Sequence, residues 1–188
     1  MLKVLTKTQD DKTLIERFNQ GDENAFKILV IKHKERVRNL VAYTINNQHQ
    51  ADDLTQEVFI KVYKNLSKFR HEAKFTSWMY TITLNVCRDE MRKKGLKRFF
   101  NYTPIENTSG LGSFDPYERM DIKQMVQQAI SQLPEKLRLP LYLKDIEGFT
   151  YEDISQMVGC EMGTVKSRLF RAREALREIL KPLKDQLL

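Results

Sequence analysis

The chain has 188 residues, 41% of them hydrophobic, and carries 32 Lys and Arg against 25 Asp and Glu, a formal net charge of +7. That composition argues against global disorder, leaves room for two small domains, and points to an anionic partner, either nucleic acid or an acidic membrane surface. The two cysteines, Cys87 and Cys160, lie too far apart for a CxxC motif and make neither a disulfide framework nor a zinc site, and no stretch is long and apolar enough to span a bilayer.

In chain order, the opening MLKVLTKTQDDK lacks the continuous apolar run of a secretory leader, so a cytoplasmic location without membrane insertion is expected. From Ala25 onward, Phe26, Leu29, Val30, Val37, Leu40, Val41 and Ile45 recur at helical spacing. A second helix starts near Ala51, with Asp52 and Asp53 at its positive end and an apolar stripe of Leu54, Val58, Val62 and Leu66. Its outer side mixes Asp53, Gln56, Glu57 and Lys64 with one apolar residue, Ile60. Such a mixture is commonplace on surfaces and also suits a protein interface.

The third helix is expected to follow Thr76 as its cap and to run to the basic cluster RKKGLKR. Met79, Thr83, Val86 and Cys87, widened by Tyr80, Leu84 and Met91, form its inward stripe. Trp78, Asn85, Arg88 and Arg92 line the opposite side, with Phe69 and Phe75 just upstream among Lys68, Arg70 and Lys74. Aromatic rings interleaved with cations describe a surface for unpaired bases, because rings stack on bases while cations follow phosphates. An amide such as Asn85 can bond a base edge that a duplex hides. The plainer alternative is that Trp78 packs under the preceding loop.

Residues 96–115 read as a linker, following Gly95 and carrying Pro104, Gly110 and Gly112 amid polar residues. The acidic residues Glu106, Asp115, Glu118 and Asp121 mark its later part and the stretch just beyond it. Helices resume near Pro116. The stretch TYEDISQMVGCEMGTVKSRLFRARE then has the layout of a helix-turn-helix. Thr150 with Asp153 resembles a capping box, although Glu or Gln is the usual partner, Gly159 supplies the left-handed turn, and a longer helix starts around Glu161 or Met162. On that longer helix Val165, Leu169, Ala172, Leu176 and Ile179 face inward, while Lys166, Ser167, Phe170 and Arg171 face out. Guanine acceptors, phosphates and thymine methyls of a major groove match these side chains, and Arg168 and Arg173 flank the face where phosphates run. A solvated helix face is again the plainer alternative. The expected fold is therefore all-α: two small helical domains, 12–95 and 116–185, joined by the linker at 96–115.

The segments GDENAFKILVIKH, ADDLTQEVFIKVY, FRHEAKFTSWMYTITLNVCRDEMRK, LPEKLRLPLYLKDIEGFTYEDIS and GTVKSRLFRAREAL, in that order, resemble the extracytoplasmic-function (ECF) sigma factors of bacterial RNA polymerase. The resemblance runs from about Leu14 to Leu183. It implies that Asp53, Gln56, Glu57 and Ile60 dock on the clamp helices of the polymerase β′ subunit. It likewise implies that Phe69, Phe75, Trp78 and Asn85 open the minus-ten element and hold an extruded base, with Arg88 near the phosphates. Lys166, Ser167, Phe170 and Arg171, flanked by Arg168 and Arg173, would read the minus-thirty-five duplex. The tether would thread toward the polymerase channels, its acidic residues standing in for nucleic acid. Core polymerase including the β subunit, promoter DNA in both duplex and single-stranded form, and an anti-sigma factor are the implied partners. One departure is Glu161, where many members have proline; a carboxylate also suits a helix start.

The rival readings are a helix-turn-helix regulator that binds duplex DNA without joining polymerase, and a helical adaptor for other proteins. An enzyme is the least favoured, since the sequence shows no Walker loop, no HExxH and no nucleophile–histidine set. No cofactor or metal is expected, and His33, His49 and His71 are read as surface or packing residues.

Overall fold

Apolar residues three and four apart along long stretches leave the chain one economical way to bury them, as helices packed face to face. The computed structural model describes residues 9–100, apart from 46, 48 and 71, and residues 122–184. The described residues form eight α-helices, a short 3-10 turn (Leu66–Lys68), a π turn and no strand. The α-helices are α1 (Asp11–Asn19), α2 (Glu23–Ile45), α3 (Ala51–Asn65), α4 (Phe75–Phe100), α5 (Ile122–Gln132), α6 (Glu135–Leu141), α7 (Tyr151–Val158) and α8 (Met162–Lys184). His71 and the segment 101–121, which holds the acidic residues and the expected restart near Pro116, lie outside the described residues.

The first half, α1 to α4, buries the predicted stripes. Leu29, Val37, Leu40 and Val41 of α2, Leu54, Val58 and Val62 of α3, and Met79, Leu84, Val86 and Cys87 of α4 are all in the core. Buried threonines satisfy their hydroxyls within their own helices: Thr44 donates to the Leu40 carbonyl at 2.7 Å, Thr55 to Ala51 at 2.6 Å and Thr83 to Met79 at 2.9 Å. His33 is buried as a packing residue, its Nε2 lying 3.0 Å from the Asp11 carboxylate.

Two boundaries differ from expectation. Helix α4 starts at Phe75, and the Trp78 amide already bonds the Lys74 carbonyl at 3.1 Å, so Thr76 lies inside the first turn and does not cap it. The same helix continues through Gly95 to Phe100, into the stretch expected as linker. One glycine costs a helix about 1 kcal/mol relative to alanine, too little to end one with good helix formers on both sides.

In the second half, Pro140 sits within α6, and a wide π turn, Tyr142–Ile146, follows directly. The helix-turn-helix forms as its sequence dictates. Thr150 Oγ1 accepts from the Asp153 amide at 3.1 Å and Asp153 Oδ2 accepts from the Thr150 amide at 3.2 Å. Gly159 turns the chain with φ 71° and ψ 44°, a left-handed conformation that a Cβ would strain. Thr150→Ala removes half of the capping box and is expected to cost about 1 kcal/mol. The readout is a melting temperature lower by roughly 2–4 °C; an unchanged value would mean that the cap is not stabilising.

The two halves pack directly on each other. Tyr43 of α2 stacks on Tyr142 with ring centroids 4.5 Å apart, and Tyr80 of α4 meets Phe149 edge-on at 5.2 Å. Arg36 of α2 pairs with Glu147 at 2.6 Å. Two arginines reach helix ends across the junction. Arg88 of α4 donates to the Met157 and Val158 carbonyls at the C-terminus of α7, at 2.9 and 3.3 Å. Arg138 of α6, itself buried, donates to the Thr44 carbonyl near the end of α2 at 3.4 Å. A helix C-terminus carries unpaired carbonyls and partial negative charge, which a guanidinium suits.

Candidate nucleic-acid and protein interface

Three faces carry the residues that the sequence singles out. On α8, Val165, Leu169 and Ala172 are buried, which turns Lys166, Ser167, Phe170 and Arg171 to solvent; Phe170 is 68% exposed. An aromatic ring left this open packs little against the other described residues. The two flanking arginines are not free. Arg173 makes a bidentate pair with Asp145, at 3.1 and 2.7 Å, and that carboxylate raises the guanidinium pKa further. Arg168 turns back toward the Gly159 corner, its Nη1 3.7 Å from Cys160 Sγ. The ring of Tyr151 lies beneath two cations, the Lys144 amine at 4.8 Å and the Lys166 amine at 5.7 Å from its centroid. Tyr151, Lys144 and Asp145 escape sequence reasoning because they lie on elements other than α8, and only folding gathers them around it.

On α4 the aromatic cluster is closed. Phe69 and Phe75 are buried, at 8% and 6% exposure, and pack against Trp78 with centroid distances of 5.2 and 5.9 Å. Only Trp78 of the three is half-exposed. In this conformation the two phenylalanines back the tryptophan and present no face to a base. Two turns further along, Asn85 is exposed, and its Oδ1 accepts from Arg88 Nη1 at 2.9 Å. Asn85, Arg88, Asp89, Met91 and Arg92 line a concavity of about 650 Å³. Arg92 is paired with Asp89 at its rim.

On α3, Asp53 and Gln56 are exposed, Glu57 is half-exposed, and Ile60 is 54% exposed. Glu57 is tied to Lys61 at 3.1 Å, and Lys61 leans toward Asp89 at 3.8 Å. Tyr63, one turn beyond Ile60, is 43% exposed and meets Phe18 and Phe26 edge-on at 5.3 and 5.0 Å. This aromatic group, not singled out from the sequence, continues the apolar surface of Ile60 toward α1 and α2.

Both cysteines are free thiols, Cys87 buried and Cys160 half-buried. Burial pushes the Cys87 thiol up to about 12, and among the described residues no group of His, Cys, Asp and Glu could hold a metal ion. No described helix is long and apolar enough to cross a membrane. The arrangement leaves three exposed faces of different chemistries.

Comparison with known proteins gives these surfaces a context. The family model for Sigma-70 region 2 matches residues 29–96, and that for Sigma-70, region 4 matches residues 123–176. The chain is 36% identical over 190 residues to the RNA polymerase sigma-H factor of Pseudomonas aeruginosa, covering 96% of this chain and 98% of that one. It is 33% identical over 183 residues to the ECF RNA polymerase sigma-E factor of Escherichia coli K12, covering 92% and 95%. The sigma factor RpoE of Bartonella quintana, solved in complex with the anti-sigma factor NepR, superposes with a TM-score of 0.69 at 28% identity, covering 83% of this chain and 96% of that one.

Proposed function

The chain belongs to the sigma-70 family, as an ECF-type RNA polymerase sigma factor, and from that membership we propose a division of labour among its three faces. The α3 face, Asp53, Gln56, Glu57 and Ile60, docks on the β′ clamp helices of core polymerase. The α4 face takes the minus-ten element once it melts. There Trp78, backed by Phe69 and Phe75, stacks on bases, Asn85 holds an extruded base by its edge, and Arg88 meets the phosphates. The α8 face, Lys166, Ser167, Phe170 and Arg171, reads the minus-thirty-five duplex in the major groove, with Arg168 and Arg173 toward the backbone and the β subunit alongside. Residues 12–95 and 116–185 act as the two working domains, with 96–115 between them.

The observation that supports this reading best is the bare Phe170 ring between Lys166, Ser167 and Arg171. Apolar contact with a thymine methyl beside cations for guanine acceptors is direct readout of a duplex. The protein does no covalent chemistry of its own. Binding energy spent on a flipped base offsets an unstacking cost of a few kcal/mol. It acts in the cytoplasm, where polymerase is, and is restrained by an anti-sigma factor, the kind of partner on which its Bartonella relative was solved.

Transcription in vitro with purified core polymerase and a promoter library tests the assignment. The wild-type chain should redirect initiation to one promoter class. Lys166→Ala and Arg171→Ala should each lower use of that class by roughly 10- to 100-fold, the equivalent of about 1–3 kcal/mol per lost base contact. Start sites indifferent to the added chain would refute the function. Start sites redirected equally well by both variants would refute only the α8 assignment. An independent helix-turn-helix regulator would leave the α3 and α4 faces without a task.

A further inference from the structure

We propose that Gly163 is the point where the main chain of α8 lies directly against the promoter duplex. Its missing side chain lets the opening turn of the helix seat on the sugar–phosphate strand, and so sets the depth at which Lys166, Ser167, Phe170 and Arg171 enter the groove. The proposal rests on the assignment of the α8 face to the minus-thirty-five duplex, and its test lets the two fail separately.

Among the described residues nothing calls for a glycine here. Glycine is less stable in a helix than alanine, because it gives up more backbone freedom on folding. Gly21, Gly148 and Gly159 have positive φ, which explains them. Gly163 does not; it stands in the first turn of α8, just before the Val165 amide bonds the Glu161 carbonyl at 3.1 Å. Beyond its chain neighbours and its own helix backbone, a Cβ on Gly163 would meet no described atom within 4 Å. No neighbouring element therefore packs on its Cα.

Its place on the helix supplies the missing reason. Lys166, Ser167 and Phe170 follow Gly163 by three, four and seven residues, so at about 100° per residue all four share one side. Val165 and Leu169, on the other side, are buried, and Gly163 is exposed. The reading stripe thus begins with a bare Cα, at the end of the recognition helix whose first residues meet DNA in a helix-turn-helix. Met162, 40% exposed, and the half-buried Thr164 border the gap. A bare Cα can pack on a sugar or a phosphate but has nothing with which to tell one base from another, so the contact positions the helix without reading sequence. Gly95, the other described helical glycine with open space over its Cα, follows Arg88 by seven residues and Arg92 by three, on their side of α4. Both such glycines fall on faces assigned to nucleic acid. A side chain at 163 would act as a spacer, lifting the whole stripe away from the groove by an amount that grows with its size.

The test uses the full chain assembled with core polymerase, on a labelled promoter duplex of the class selected from the library. Gly163→Ala should weaken binding roughly threefold to tenfold, and Gly163→Leu at least roughly 30-fold. The melting temperature of each variant should stay level or rise, since both replacements are better helix formers. Uptake of a single-stranded minus-ten oligonucleotide by the same holoenzymes should be unchanged. A lifted helix has already lost the Lys166 contact, so adding Lys166→Ala to the Gly163→Leu chain should weaken binding less than Lys166→Ala does alone. Undiminished duplex binding by both glycine variants overturns the proposal. A loss that comes with a lower melting temperature also overturns it, because Gly163 would then serve the fold. So does an equal loss on the minus-ten oligonucleotide, or full additivity with Lys166→Ala. Normal binding by Lys166→Ala and Arg171→Ala, with the glycine variants still weak, would sink the base-reading assignment and leave the close approach standing.

Discussion

Asn85→Ala is expected to slow promoter opening by roughly 10- to 100-fold while leaving the affinity for core polymerase within about twofold, the loss corresponding to about 1–3 kcal/mol from one specific base contact. The residue is exposed on α4, and its neighbours Val86 and Cys87 carry the packing of that turn. Truncating the amide therefore leaves the helix in place and removes only the donor and acceptor that a flipped base would meet. Arg88 loses one partner but keeps the two carbonyls at the end of α7. Permanganate reactivity of unpaired thymines, followed over time on a promoter bound by holoenzyme, reports the step directly. Normal opening by the variant would move base capture away from Asn85. A variant equally defective in holding core polymerase would show that the change had disturbed the fold and not the base contact.

The second large effect is expected from Ile60→Asp. Ile60 stands 54% exposed on α3, with Gln56 one turn before it and the half-open Tyr63 one turn after. In the free protein an aspartate there is hydrated and changes stability by no more than about 0.5 kcal/mol. In a desolvated interface the same carboxylate loses its water without gaining a partner, and the apolar contact goes as well. Interface anchors of this kind are worth on the order of 2 kcal/mol or more, so the affinity for core polymerase should fall at least roughly 30-fold. Titration of labelled protein against core enzyme checks this, with thermal melting as the control. Undiminished binding would show that the clamp contact lies elsewhere on α3, with the Tyr63, Phe18 and Phe26 group the next surface to probe.

What the sequence makes legible is whatever depends on neighbours a few residues apart. The capping pair Thr150 and Asp153, the left-handed Gly159 and the apolar stripe of α8 are local, and each folds as its spacing implies. The outward placement of Lys166, Ser167, Phe170 and Arg171 follows from that stripe alone. What depends on distant partners is not legible. Phe69 and Phe75 sit among cations in the sequence, as base-stacking residues do, yet both turn inward to support Trp78. Nothing local marks Arg173 as already held by Asp145, or Arg88 as engaged by the end of α7. The junction itself is written in Tyr43, Tyr80, Tyr142 and Phe149, which look like ordinary core residues of two separate bundles until the fold sets them face to face.

Helix α4 ends at Phe100 and α5 starts at Ile122. Whatever path the intervening backbone takes, it can never let those two ends drift more than about 80 Å apart. Each half therefore meets the other at a local density on the order of a millimolar, however dilute the cell or the test tube. Re-closing is a first-order event set by the polypeptide's own length, so dilution cannot keep the halves separated, whereas a competitor that occupies the parted surfaces can.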